Sequence, residues 1–132
     1  MGFKWTSLQL AVHWRLGQVA RLLVDAGADV NSGPVKNSFH AATPLQYAAM
    51  QGDLEMAQFL ISKGANVNAE GPLSGDGTAL ETAARYGRLD MVRLLLKEVN
   101  IQGEMRVQYI KSALYATIEG NNAIATLLTK HG

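Results

Sequence analysis

Three histidines, His13, His40 and His131, are the side chains of this sequence best suited to proton transfer or metal ligation, and they fall at spacings that no metal motif uses. With no cysteine anywhere, thiolate metal sites, disulfide frameworks and cysteine nucleophiles are removed outright. Asp25, Asp29, Asp53, Glu55 and Asp90 are scattered over positions that read as solvated helix ends, so they supply no acid and base pair. No glycine-rich stretch leads into a lysine followed by serine or threonine, the arrangement that cradles a phosphate. We therefore expect no catalytic residue, no metal and no cofactor, with an atypical enzyme as the remotest alternative. The 12 Lys and Arg residues nearly balance the 11 Asp and Glu, for a net charge of +1, so the positive excess that carries nonspecific nucleic-acid affinity is missing. No apolar run approaches the ~20 residues that cross a bilayer, and the first ten residues lack the apolar core and cleavage site of a secretory signal. The expectation is a soluble, intracellular domain, in cytoplasm or nucleus, with no nucleic-acid or membrane partner.

Any functional side chains must be positioned by packing alone. At 132 residues, 48% of them hydrophobic and 17% charged, the chain is long enough for one packed domain and too apolar to be disordered. It also repeats itself. Thr43–Asn68 aligns without a gap beneath Thr6–Asn31, matching Thr6 with Thr43, Leu8 with Leu45, Gln9 with Gln46, Ala11 with Ala48, Ala20 with Ala57, Leu23 with Leu60 and Gly27 with Gly64. A third copy places Thr78, Leu80, Ala83, Ala84, Gly87, Leu94 and Leu95 under Thr43, Leu45, Ala48, Ala49, Gly52, Phe59 and Leu60. An incomplete fourth sets Ala116, Gly120, Leu127 and Leu128 under Ala83, Gly87, Leu94 and Leu95.

Each copy reads as two short antiparallel helices. Thr43 can cap the free amides of a helix start, and Pro44 at the first helical position has no amide to leave unpaired. Leu45, Ala48 and Ala49 then share one face, and the small alanines allow close approach of a neighbour. Gly52 and Asp53 break the pattern, and a second helix carries Met56, Phe59 and Leu60 on one side and Glu55, Gln58 and Lys63 on the other before Gly64 ends it.

This arrangement resembles the ankyrin repeat, a unit of about 33 residues made of a hairpin loop and two helices. The likeness is carried by Thr43-Pro44-Leu45 with Ala48 and Ala49, by Gly52, by Leu60-Ile61, and by Gly64-Ala65-Asn66-Val67-Asn68 with its echo Gly27-Ala28-Asp29-Val30-Asn31. It implies an all-α solenoid of about four helix-turn-helix repeats joined by hairpin-like loops, a single domain 1–132 with repeats at about 6–42, 43–77, 78–110 and, in part, 111–132. Several positions depart from the family pattern. Arg15 replaces the turn glycine of repeat one, with Gly17 two residues on, so an irregular turn is expected there. Gln9, Gln46 and Glu81 stand where the family carries histidine, and the loop after Leu96 lacks the Gly-Ala-Asp pattern. Leu114 falls one place late in the ungapped fourth copy.

The resemblance implies a module that binds another protein on its concave face, the alternative being an internal structural or spacer segment of a larger multidomain protein. Family partners dock on the residues that follow the Ala-Ala pair and on those preceding each helix-starting threonine. Here these are His13 and Trp14, Met50 and Gln51, Arg85 and Tyr86, Ile118 and Glu119, with Trp5, Ala42, Gly77 and Ile110 before the helix starts. A row holding Trp14, Met50, Arg85 and Tyr86 has the composition of an interface hot spot. The long connectors Ser32–Ala42 and Ala69–Gly77 are candidate binding loops, the first through Phe39 and His40. Ile124, Leu127 and Leu128 in the last helix read as an uncapped apolar end, which suggests an excised piece of a larger array, such as the large fungal members of the family, or self-association through the C-terminal repeat.

Overall fold

The computed structural model describes residues 6–31, 43–69, 78–99, 103–117 and 121–131. Among them are eight helices, α1 (Ser7–His13), α2 (Gly17–Asp25), α3 (Pro44–Gln51), α4 (Leu54–Ser62), α5 (Ala79–Arg85), α6 (Leu89–Glu98), α7 (Gly103–Ala116) and α8 (Asn122–His131). They pair in chain order, α1 with α2 through α7 with α8, and the pairs stack so that α1, α3, α5 and α7 form one layer while α4, α6 and α8 adjoin in a second. No strand occurs among the described residues.

The starts of the first-layer helices follow from three threonines. Thr6, Thr43 and Thr78 are extended, and each side chain accepts a hydrogen bond from the amide three residues on. In α1 and α3 the glutamines found in place of the family histidine complete a reciprocal cap: Gln9 Oε1 accepts from the Thr6 amide at 2.7 Å, and Gln46 Oε1 from the Thr43 amide at 2.8 Å. Gln46 is buried and its Nε2 also donates to the Ala69 carbonyl, tying the helix to the loop that follows its repeat. At Glu81 only the backbone half of the cap is formed among these bonds.

The ends follow from left-handed residues. Gly52 and Gly87 take φ of 71° and 70° between the two helices of their pairs, where a side chain is disfavoured. Arg15 takes φ of 59° at the matching place, and the Leu16 amide donates to the Ala11 carbonyl just as Asp53 does to Ala48 and Arg88 to Ala83. The turn of repeat one is therefore regular, contrary to the expectation from its missing glycine, because arginine adopts the left-handed conformation in its place. Such a conformation costs an L-residue roughly 1–2 kcal/mol, which the closed hydrogen bonds and the packing of both helices must offset.

The core runs through the stack. Leu8, Leu45 and Leu80 are buried at one register, Ala11, Ala48 and Ala83 at the next, and Ala20, Ala57 and Val92 line the second layer. The fourth pair departs from the sequence reading. Helix α7 begins at Gly103, so it crosses the boundary expected near residue 110, and its buried residues Tyr109, Ile110 and Ala113 repeat the spacing of Leu80 and Ala83. Ile110 is a core residue and does not precede a helix start. Ile124 and Leu128 are fully buried and Leu127 is partly so, packed within the stack instead of forming an apolar terminal surface.

Tyr109 locks this fourth pair to the second and third. Its hydroxyl donates to the Val67 carbonyl at 3.0 Å from a buried position. Burial pushes its pKa well above the ordinary value near 10, helped by the charge of Glu81 and opposed by hydrogen bonding at Thr78 and Leu80. A group whose pKa is raised on folding favours the protonated fold, so its contribution is complete below the unfolded pKa of about 10 and declines as pH rises past it. Tyr109→Phe should cost about 1 kcal/mol at neutral pH, and urea titrations should show a shallower loss of stability above pH ~10 than in the parent chain; an unchanged midpoint at both pH values would remove Tyr109 from this role.

Candidate protein-interaction surface

The left-handed turn fixes where the candidate surface lies, because His13 and Trp14, Met50 and Gln51, and Arg85 and Tyr86 are the last residues before Arg15, Gly52 and Gly87. Since α1, α3 and α5 stack side by side, these pairs occupy equivalent places on successive helices. Trp14 is 67% exposed and Tyr86 48% exposed, the aromatic ends of the row. His13, Met50, Gln51 and Arg85 are half-buried between them. Trp14 meets the His13 ring edge-on at 5.3 Å and keeps most of its surface in solvent, which excludes its folding onto the second helix of its own pair.

Polar bonds between repeats hold the row in register. The Gln51 side chain donates from Nε2 to the His13 carbonyl, and Arg88 Nε donates to the Met50 carbonyl at 3.0 Å. Each satisfies a carbonyl near the C-terminal end of the preceding first-layer helix, where intrahelical partners run out. The His13 ring also packs edge-on against Tyr47 at 5.5 Å. Gly52 is constrained twice over: besides its positive φ, a Cβ there would stand 3.0 Å from Arg88 Cδ. Thus Gln51 supplies both a surface position and a structural bond.

A second set of bonds holds the loop side. Asn31 Oδ1 accepts from the Asn66 amide at 2.7 Å and Asn31 Nδ2 donates to the Gly64 carbonyl at 3.1 Å, so one side chain joins the turns of successive repeats. On the opposite flank, Arg21 forms an exposed ion pair with Glu55 at 2.9 Å and lies 4.8 Å over the Phe59 ring. Phe39, His40, Ile118 and Glu119, with Trp5, Ala42 and Gly77, lie outside the described residues. Among the described residues no group of histidine and carboxylate side chains could hold a metal ion, and no helix is long and apolar enough to cross a membrane.

Sequence reading missed Arg88 and the cross-repeat reach of Asn31. Asn31 had a signal, since it recurs at Asn68, but the partner of its side chain lies in the next repeat. Arg88 had none, as the matching positions hold Leu16 and Asp53.

With this geometry in place, the comparisons with known proteins are direct. Residues 34–106 match the family model for ankyrin repeats in three copies, and residues 3–33 match that for a single ankyrin repeat. The chain belongs to the ankyrin repeat family. It is similar to the B-cell lymphoma 3 protein homolog of Mus musculus, 34% identical over 70% of this chain and 19% of that protein. It is also similar to the transient receptor potential cation channel subfamily A member 1 homolog of Caenorhabditis elegans, 38% identical over 70% of this chain and 7% of that protein. Alpha-latrotoxin-Lg1a of Latrodectus geometricus is 32% identical over 93% of this chain and 9% of the toxin. The chain thus spans less than a fifth of the length of these curated relatives.

Arg88→Ala should remove the bond to Met50 and uncover Gly52, lowering unfolding stability by about 1 kcal/mol. A urea midpoint identical to that of the parent chain would show that the staple contributes nothing.

Proposed function

We propose that the chain is a protein-interaction module whose partner docks on the concave flank formed by His13, Trp14, Met50, Gln51, Arg85 and Tyr86. The carrying observation is that Trp14 stays largely and Tyr86 about half in solvent at equivalent ends of α1 and α5 while the backbone near them is held by caps and cross-repeat bonds. Large aromatic side chains fixed on a rigid scaffold lose little entropy on binding and dominate interface energetics. Phe39 and His40 in the first long connector, and Ile118 and Glu119 in the fourth repeat, extend the same proposed surface. Near-neutral charge favours a protein partner over nucleic acid, and we place the module inside the cell with neither enzymatic activity nor a membrane partner. Self-association through the last repeat has less support, because Ile124 and Leu128 are buried.

A second reading, that the chain is a spacer or docking segment within a larger protein, is favoured by its covering only 19% and 7% of two relatives. Quantitative affinity capture with mass spectrometry separates the two, since a spacer retains no separate protein. The double substitution Arg85→Ala and Tyr86→Ala should leave the helical spectrum and melting point nearly intact while weakening capture by more than ~1 kcal/mol per residue. Undiminished capture by the folded variant would move the site elsewhere, and unfolding would assign the pair to the core.

A further inference from the structure

The residue just ahead of the second helix of each pair differs from repeat to repeat. In the second and fourth pairs it is Asp53 and Asn121, and each caps its helix: Asp53 Oδ1 accepts from the Met56 amide at 3.2 Å and Asn121 Oδ1 from the Ile124 amide at 3.3 Å. In the first pair it is Leu16, which makes no side-chain cap but carries no charge. In the third it is Arg88, whose side chain makes no cap to α6 either. Arginine there leaves helix amides without a side-chain acceptor and sets a cation at the positive end of the helix dipole, so local helix chemistry disfavours it twice. The bond to Met50 does not call for a charge, since the Gln51 amide serves the His13 carbonyl in the same way. Departures from local rules gather at functional sites.

What arginine adds is an exposed guanidinium held in place. Arg88 lies over Gly52 with its Nε on the Met50 carbonyl at 3.0 Å, two residues after Tyr86. With Nε occupied, the two terminal nitrogens present an edge that fits the two oxygens of one carboxylate. Among the described residues Arg88 forms no ion pair, and the acidic residues near it in sequence are engaged elsewhere: Asp53 in its cap, Glu55 with Arg21 at 2.9 Å, Asp90 with Arg93 at 3.9 Å. The three described turns, residues 13–16, 50–53 and 85–88, hold three arginines and one acidic residue, Asp53, within a chain of net charge +1. Glu119, the acidic position proposed for the surface in the fourth repeat, lies outside the described residues.

We infer, on the basis of the binding surface proposed above, that the protein segment docking there is acidic and sets an aspartate or glutamate carboxylate on Arg88, with apolar side chains against Trp14 and Tyr86. An anchored arginine edge in a chain of near-neutral charge suits a carboxylate, whereas a nucleic-acid backbone calls for a longer run of cations.

The test pans a display library of random short peptides against the full folded chain. Enriched peptides should carry Asp or Glu beside Tyr, Trp or Leu. Arg88→Asn supplies the cap seen at Asn121, so its melting temperature should stay close to that of the parent chain, while its affinity for the best peptide should fall about tenfold. Replacing that peptide's carboxylates by amides, one at a time, should find one whose loss weakens parent binding to the same extent and adds nothing in Arg88→Asn. Arg21→Gln, which removes the same charge from the opposite flank, should bind as the parent does. Enrichment of neutral or basic peptides, undiminished binding by Arg88→Asn, or an equal loss in Arg21→Gln would overturn the acidic partner. The surface itself would still stand if Arg85→Ala with Tyr86→Ala weakened the same peptides. Peptides indifferent to that double substitution, or no enrichment at all, would overturn both. An oligonucleotide retained better than any peptide and released by Arg88→Asn would make phosphate the anion and overturn the carboxylate.

Discussion

The left-handed residue between the two helices of a pair is the constraint on which the rest of this structure depends. It reverses the chain within a few residues and lets the amide after it close back onto the first helix, at Leu16, Asp53 and Arg88 alike. That closure brings the second helix onto the first with its apolar stripe inward, so that Ala20, Ala57 and Val92 lie in one core. Glycine reaches this conformation without a Cβ penalty in two of the turns. The first turn uses arginine, and the same geometry is kept there, with the Leu16 amide still closing onto the Ala11 carbonyl.

The turn also links stability to the proposed binding surface. It presents the last residues of each first-layer helix on one flank, and it leaves carbonyls there that must find donors. Gln51 and Arg88 provide them from the next repeat, so the bonds that hold the proposed surface in register are the ones that connect the repeats. A solenoid gains stability from intrinsic repeat terms and nearest-neighbour contacts. Here those contacts are apolar in the middle of the stack and polar at both edges, with Asn31 joining the loop side and Gln51 and Arg88 the turn side.

Much of this was legible in the sequence because the repeat states each element more than once. Thr43-Pro44 and Gly64 marked helix ends correctly through local chemistry that needs no tertiary information. The row of Trp14, Met50 and Tyr86 was named through the family resemblance, carried over position by position, and stays a proposal. What escaped was set by neighbours. Arg15 looked like a fault in the pattern, since a propensity argument gives the left-handed place to glycine, whereas the backbone takes that conformation at Arg15 as well. Ile110 was placed ahead of a helix because the fourth copy has too few matching residues to fix its start, and the burial of Tyr109 and Ala113 alone reveals it.

If the shared turn is the organising constraint, repeat one must hold it without glycine, and Trp14 and Tyr86 then belong to one surface. The intraresidue amide-to-Hα Overhauser effect of Arg15 in solution reports this directly, because a positive φ brings those two protons unusually close. A strong effect at Arg15, comparable with those of Gly52 and Gly87, is the expected result. An ordinary weak effect, as in the flanking helical residues, would mean that the first pair turns by another route and that Trp14 does not share the frame of Tyr86.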